Sequence, residues 1–407
     1  MERTDSMKRF INCAFKIIFS RTLFIILMIL VQLAVLCFGF TKLGESFSYI
    51  TEGMSLLGAL LVIFIVNRDG APEFKMTWCI LICLLPVFGA LIYLFVELNL
   101  GGIGLKARTY VRLKETEGLL LATERTKKAV AGSQADFRGF ARYMEGTVGF
   151  PAYQGSEAVY YPSGEDKFKD LLKELQKAER FIFLEYFIME RGIMWNAILD
   201  ILKEKVKQGV EVRVMYDGMC SIMLLPYGYP RELEKYGIKA KMFAPIRPFL
   251  STNQNNRDHR KIVVIDGKVA FTGGVNLADE YINEKEVYGH WKDTAVKITG
   301  EAVRSFTVMY LQMWHVSENG AADEYEKYLQ NIVFDKPLKD DGFVIPYGEM
   351  PTVPTEVAKT VYESLFNTAK KYVHVMTPYF IVEQEFFDTM RYAAQRGVEV
   401  KMILPHI

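Results

Sequence analysis

Residues 256–276 read "NRDHRKIVVIDGKVAFTGGVN" and set a histidine, a lysine and an aspartate around one short apolar run. His259 and Lys261 are two positions apart, so on an extended segment they project from the same side. An imidazole, with an ordinary pKa of about 6.5, can attack a phosphorus atom or protonate a leaving oxygen near neutral pH. A lysine ammonium beside it can hold phosphate oxygens and neutralise the charge that builds at phosphorus. Asn276 adds a donor, while Gly273 and Gly274 let backbone come close to a bound phosphate. Taken singly, each residue has a plainer explanation: His-x-Lys as a solvated strand end, Asp266-Gly267 as a hairpin turn. Taken together, the segment fits H-x-K-x4-D-x6-G-[GS]-x-N at every specified position. That combination points to phosphoryl chemistry, with His259, Lys261 and Asp266 as the catalytic set and Lys261, Asn276 and Gly274 around the phosphate. Neither a metal nor a cofactor is called for by such a set.

These residues need a scaffold. "KIVVIDGKVAFTGG" predicts strand, tight Asp-Gly turn and strand, with Ile262 to Ile265 suited to a buried core strand. Upstream, "DKFKDLLKELQKAE", "RFIFLEYFI", "WNAILDILKEKVKQG" and "VEVRVMYDG" predict helix, strand, helix and strand of an α/β domain. The series returns in "EVAKTVYESLFNTAKK", "YVHVMTPYFI", "FFDTMRYAAQRG" and "VEVKMILPHI", with Gly209 and Gly397 standing 188 positions apart. Two such units read as an internal duplication. On that ruler the counterpart of His259 falls near position 447, beyond Ile407. The expectation is therefore a second unit left incomplete, and a second His-x-Lys segment supplied by a missing C-terminal half or by another chain.

Composition narrows the partners. The 49 basic and 48 acidic residues nearly cancel, which argues against a protein that grips nucleic acid. Five scattered cysteines show neither a disulfide framework nor zinc spacing. The first hundred residues differ from the rest: residues 22–41 and 76–96 are uncharged runs of 20 and 21 residues, and 53–67 is a shorter one of 15. About 20 helical residues cross a bilayer core, so the expectation is N-terminal transmembrane helices, two full spans with the middle segment partly inserted. Basic residues cluster before the first run and after the last, which predicts a multi-pass membrane protein with both ends in the cytoplasm, in the bacterial cell membrane if the resemblance given below holds. The expected layout is a membrane anchor (1–100, apolar segments about 22–41, 50–67 and 76–96), a juxtamembrane connector (101–165), a first unit with the motif (166–340) and the start of a second (341–407).

The motif resembles the signature of the phospholipase D superfamily, and its surroundings resemble bacterial cardiolipin synthases. The resemblance rests on "LLPVFGALIYL", "LEYFI", "VEVRVMYDG", "NRDHRKIVVIDGKVAFTGGVNLADEY", "WKDTAVKITG" and "TPYFI", and runs from about residue 20 to the last. It implies a duplicated β-α-β sandwich fold. It also implies transfer of a phosphatidyl group from one phosphatidylglycerol to another through a phosphohistidine, giving cardiolipin and glycerol. In the family, one signature histidine carries the covalent bond and the other protonates the leaving alcohol; His259 matches one of the two. Glu185, in "LEYFI", matches a recurrent acidic position and is a further candidate for lining the site. The alternatives are a hydrolytic relative that hands the intermediate to water, and a non-catalytic truncated membrane protein.

Overall fold

A computed structural model describes residues 30, 44–68, 70, 72–97, 100–220, 224–245, 256–316, 318, 325–334, 342–350, 353 and 356–405. The chain divides into two units, residues 1–104 with 246–255, and residues 105–245 with 256–407.

In the first unit the apolar sequence forms helices α1 (Gly44–Asn67), α2 (Pro72–Leu84) and α3 (Pro86–Glu97). They meet through a small core of Ile65, Ile82 and Tyr93. Gly89 is required there, because a Cβ would lie 2.7 Å from the Ile82 Cα. The transmembrane expectation is corrected: among the described residues no helix is long and apolar enough to cross a membrane. The reason is local for the run at 76–96. Pro86 lacks an N–H and starts a new helix, so the run is split between helices of 13 and 12 residues. At 1.5 Å per residue each is roughly 20 Å long, short of a hydrocarbon core of about 30 Å. The run at 22–41 lies outside the described residues. A multi-pass topology accordingly finds no support.

The second unit begins at Leu105, within α4 (Leu100–Glu115). Leu105, Leu120, Met144, Phe150 and Tyr153 all enter a main hydrophobic core, so residues 105–155 are built into this unit. Its sheet has seven strands in the order β1-β7-β6-β5-β2-β3-β4. The ranges are β1 Ser156–Tyr161, β2 Phe181–Tyr186, β3 Glu211–Asp217, β4 Lys239–Phe243, β5 Ile262–Ile265, β6 Val269–Gly273 and β7 Ala295–Gly300. β2, β3 and β4 run parallel, as helical crossovers demand, and β5 pairs antiparallel with β2. Side chains alternate across β2. Ile182, Leu184 and Tyr186 face a core with α5 (Gly164–Lys177) and α6 (Ile193–Lys207), including Leu171, Trp195 and Ile198. Phe181 and Phe183 face a second core with α7 (Val303–Val316), a helix buried almost all round. Burial on both faces is why these strands are apolar without interruption.

α8 (Val357–Thr368), β8 (Tyr372–Met376), α9 (Gln384–Gln395) and β9 (Glu399–Ile403) repeat the helix-strand-helix-strand order. β8 and β9 pair in parallel and form a separate two-stranded sheet with its own small core of Phe366, Met390, Ala393 and Val398.

Candidate active site

The Asp-Gly turn forms the β5–β6 hairpin, with Asp266 and Gly267 both left-handed at φ 54° and 69°. Asp266 is buried at that turn, at the far end of β5 from His259, and its carboxylate accepts the N–H groups of Glu179, Arg180 and Phe181 at 2.7–2.8 Å. The structure thus uses Asp266 to fix the start of β2 and does not bring it to the histidine.

His259 and Lys261 are brought together where the chain enters β5. Lys261 Nζ lies 3.2 Å from His259 Nδ1 and donates to the His259 carbonyl oxygen at 2.7 Å. The Phe187 ring, just after β2, packs on the imidazole with centroids 4.6 Å apart and lies under the ammonium at 5.5 Å. The histidine is exposed while the lysine is buried. Desolvation, and then the lysine charge, lower the His259 pKa, with Asp258 opposing. Burial also brings Lys261 down to about 8, against the pull of Asp258 and Asp293. Near neutral pH the pair is therefore an uncharged imidazole beside an ammonium, suited to an attacking nitrogen and an anionic phosphate.

Asn276 is buried: its Oδ1 accepts from the Ile188 N–H at 3.0 Å and its Nδ2 donates one N–H to Tyr281 Oη at 2.8 Å. It ties the end of β6 to the turn after β2, which shapes the site floor. Gly274 has no room for a side chain because Asp293 packs there; a Cβ would lie 2.0 Å from Asp293 Oδ1. Asp293 comes from "WKDT" just before β7 and acts electrostatically on Lys261. It also acts on Lys167, a fully buried lysine brought down to about 7 by desolvation, whose Nζ donates to Tyr186 Oη at 2.9 Å.

Glu185 is sealed from solvent, on the β2 face opposite Tyr186. Its Oε1 accepts from Arg260 Nε at 2.7 Å and Nη2 at 2.6 Å, and Arg260 Nη2 also donates to the Met309 carbonyl at 3.1 Å. The Asp258 N–H donates to Asp217 Oδ2 at 3.0 Å, and the Arg260 N–H to Asp258 Oδ1 at 3.2 Å. Asp217 takes a further bond from Arg257 Nη1 at 3.3 Å. Residues 258 and 260 are thus anchored in buried polar contacts, while 259 and 261 turn to each other and to Phe187. Sequence reasoning missed Asp217, Asp258, Arg260, Asp293 and Lys167. The available signal was the charge at the end of an otherwise apolar segment, as in "VMYDG", and the alternation around His-x-Lys.

An exposed imidazole beside a buried ammonium, on a mixed sheet covered by helices, is the equipment of a phosphoryl-transfer enzyme of phospholipase D type. Comparison with known proteins agrees. Residues 171–314 match the family described as cardiolipin synthase, PLD-like domain, and residues 56–97 match phospholipase D-nuclease N-terminal. A cardiolipin synthase of Alkalihalophilus pseudofirmus is 32% identical over 87% of this chain and 69% of its own length. One of Halalkalibacterium halodurans is 31% identical, over 85% and 68%. An uncharacterised Streptococcus mutans protein is 44% identical, over 85% and 74%. Among solved structures, phosphatidylserine synthase of Haemophilus influenzae is 16% identical with a TM-score of 0.43, covering 63% of each chain. The chain belongs to the cardiolipin synthase family of phospholipase D-like enzymes. It is a phosphatidyltransferase of the cardiolipin synthase type, and its substrates are phospholipids.

Proposed function

We propose that His259 is the covalent nucleophile of cardiolipin formation and Lys261 the cation that holds the phosphate. The observation that carries this reading is the 3.2 Å pair itself, an exposed imidazole whose Nδ1 faces the ammonium. The lysine donates to Nδ1, which keeps the ring proton on Nε2. A bound phosphatidylglycerol phosphate draws the ammonium to its own oxygens, so Nδ1 can take the proton and Nε2 can attack. The Nε2–P bond forms, the P–O bond to the glycerol headgroup breaks, and the glycerol takes a proton from an acid. A hydroxyl of a second phosphatidylglycerol then gives its proton to that same group, now a base, attacks phosphorus and breaks the N–P bond, so that cardiolipin leaves and the imidazole is restored. The acid is a second histidine of His-x-Lys type, from further chain or a second chain. Asp266 supports the site through the backbone, while Asn276, with one amide N–H beyond its bonds to Ile188 and Tyr281, and Gly274 belong on the phosphate side.

The work is placed at the cytoplasmic face of the bacterial cell membrane. Exposed Lys106, Arg108 and Lys114 on α4 suit anionic headgroups there. The test is phosphatidylglycerol vesicles with the full-length protein: cardiolipin and glycerol in equal amounts support the reading, phosphatidic acid in place of cardiolipin would mean hydrolysis, and unchanged lipid with active controls would refute both.

A further inference from the structure

Two carboxylates behind the His259–Lys261 segment are buried in a way that leaves one oxygen of each unsatisfied. Glu185 Oε2 and Asp258 Oδ2 are both shielded from solvent without a hydrogen-bond partner. Their residues are 0% and 1% exposed. The first oxygens converge on Arg260, at 2.6 Å from Glu185 and 3.6 Å from Asp258. A buried acceptor without a donor is destabilising, and more so when it is charged. The two carboxyls lie within side-chain hydrogen-bonding reach of each other, so one added proton would give the pair the donor it lacks.

We propose that Glu185 and Asp258 share one proton, and that this acid pair, clamped on Arg260, is the positioning element that holds the His259–Lys261 backbone in register. Every charged neighbour is consistent with a single added proton. Arg260 faces Glu185 from the motif segment; Asp217, carrying Arg257, meets the Asp258 backbone from the end of β3. From α7 come the Met309 carbonyl, already bonded to Arg260, and the uncharged Tyr310 hydroxyl, itself without a partner. On the other side of the segment, Lys261 directs its hydrogen bonds to His259, so it leaves Asp258 Oδ2 unmatched. Burial drives the Glu185 carboxyl well above its ordinary range, with Arg260 opposing and Asp258 adding to the rise. The positioning role rests on His259 doing the chemistry; the shared proton does not.

The sign of the linkage gives the test. A carboxyl with a raised folded-state pKa holds its proton more tightly in the folded chain. It therefore stabilises the fold fully below its unfolded pKa, and that contribution is lost as pH rises toward the folded pKa. Glu185→Gln keeps the shape and one donor but cannot ionise. Urea unfolding of the full chain and of E185Q, followed by tryptophan fluorescence, should show the wild-type unfolding constant rising against that of E185Q by up to about tenfold per pH unit from pH 5 to 7. A pH-independent ratio, or an E185Q chain that does not fold, would overturn the shared proton. For the positioning role, Glu185→Ala in the full-length enzyme should lower kcat more than about tenfold at unchanged KM, with Gln restoring most of it. Equal losses in Ala and Gln would overturn that role while leaving the stability result standing.

Discussion

Two β-α-β units in this molecule share a register and differ in what surrounds them. β2 and β3 pair in parallel from Phe181 opposite Glu211, and β8 and β9 from Tyr372 opposite Glu399. Counting along the strands, Glu185 corresponds to Met376 and Arg213 to Lys401. Every residue of β2 is buried, whereas β8 alternates between exposed and half-buried. The difference is the neighbour: β2 takes β5 along its free edge and α7 on its face, and the described β8 has neither. A β-α-β unit supplies the frame, and the chemistry arrives with the segment that pairs beside it. Where that pairing occurs, strand-end charges become buried anchors; where it does not, they remain surface ion pairs.

The contrast can be broken by substitution in each unit, and the largest effect is expected between a histidine of the first unit and one of the second. His259→Ala should lower cardiolipin formation in the full-length enzyme by about 10⁴-fold or more. His374→Ala, on an exposed β8 side chain paired with Glu399 at 2.7 Å, should leave the rate unchanged. Product analysis on phosphatidylglycerol vesicles reads both. Next, Glu185→Ala leaves Arg260 without its best partner and should cost about 3–5 kcal/mol in urea unfolding. Met376→Ala, at a site 54% exposed, should stay within about 0.5 kcal/mol.

Arg213 and Lys401 sharpen the same point at smaller scale. Both contact the glutamate two residues earlier, at 2.8 Å and 2.9 Å. Arg213 is buried among the rings of Phe183, Trp314 and Tyr328, so Arg213→Ala should cost about 3 kcal/mol; Lys401→Ala should cost less than about 1 kcal/mol. The smallest effect is a pH limb. Lys261, brought down to about 8 by burial, loses its charge above that pH, so kcat/KM should fall up to tenfold per unit on the alkaline side. A limb displaced toward ordinary lysine values would deny Lys261 its place.

Much of the frame was legible in the sequence because the signals are local. The Asp266-Gly267 turn, the amphipathic helix at 166–179 and the repeated helix-strand order depend on periods and turn chemistry that a short window contains. What was not legible depends on partners far along the chain. Asp266 looks catalytic within its motif, yet its acceptor bonds go to residues 85–87 positions earlier. Asn276 reads as a phosphate donor, and nothing local shows that its amide also ties down Ile188, 88 positions earlier. Charges flanking His259 read as solvent-facing because alternation alone does not tell which side is sealed. The anchor failed for a related reason: an apolar count of 21 at 76–96 ignores that Pro86 divides the run.

The central claim is that His259 bonds covalently to the phosphatidyl group. Its most direct measurement is an acid-free quench of the full-length enzyme with phosphatidylglycerol labelled at phosphorus, followed by peptide mapping. The account predicts an acid-labile, base-stable label on the peptide that contains His259, absent from His259→Ala. A label on a different residue that persists in His259→Ala would contradict it.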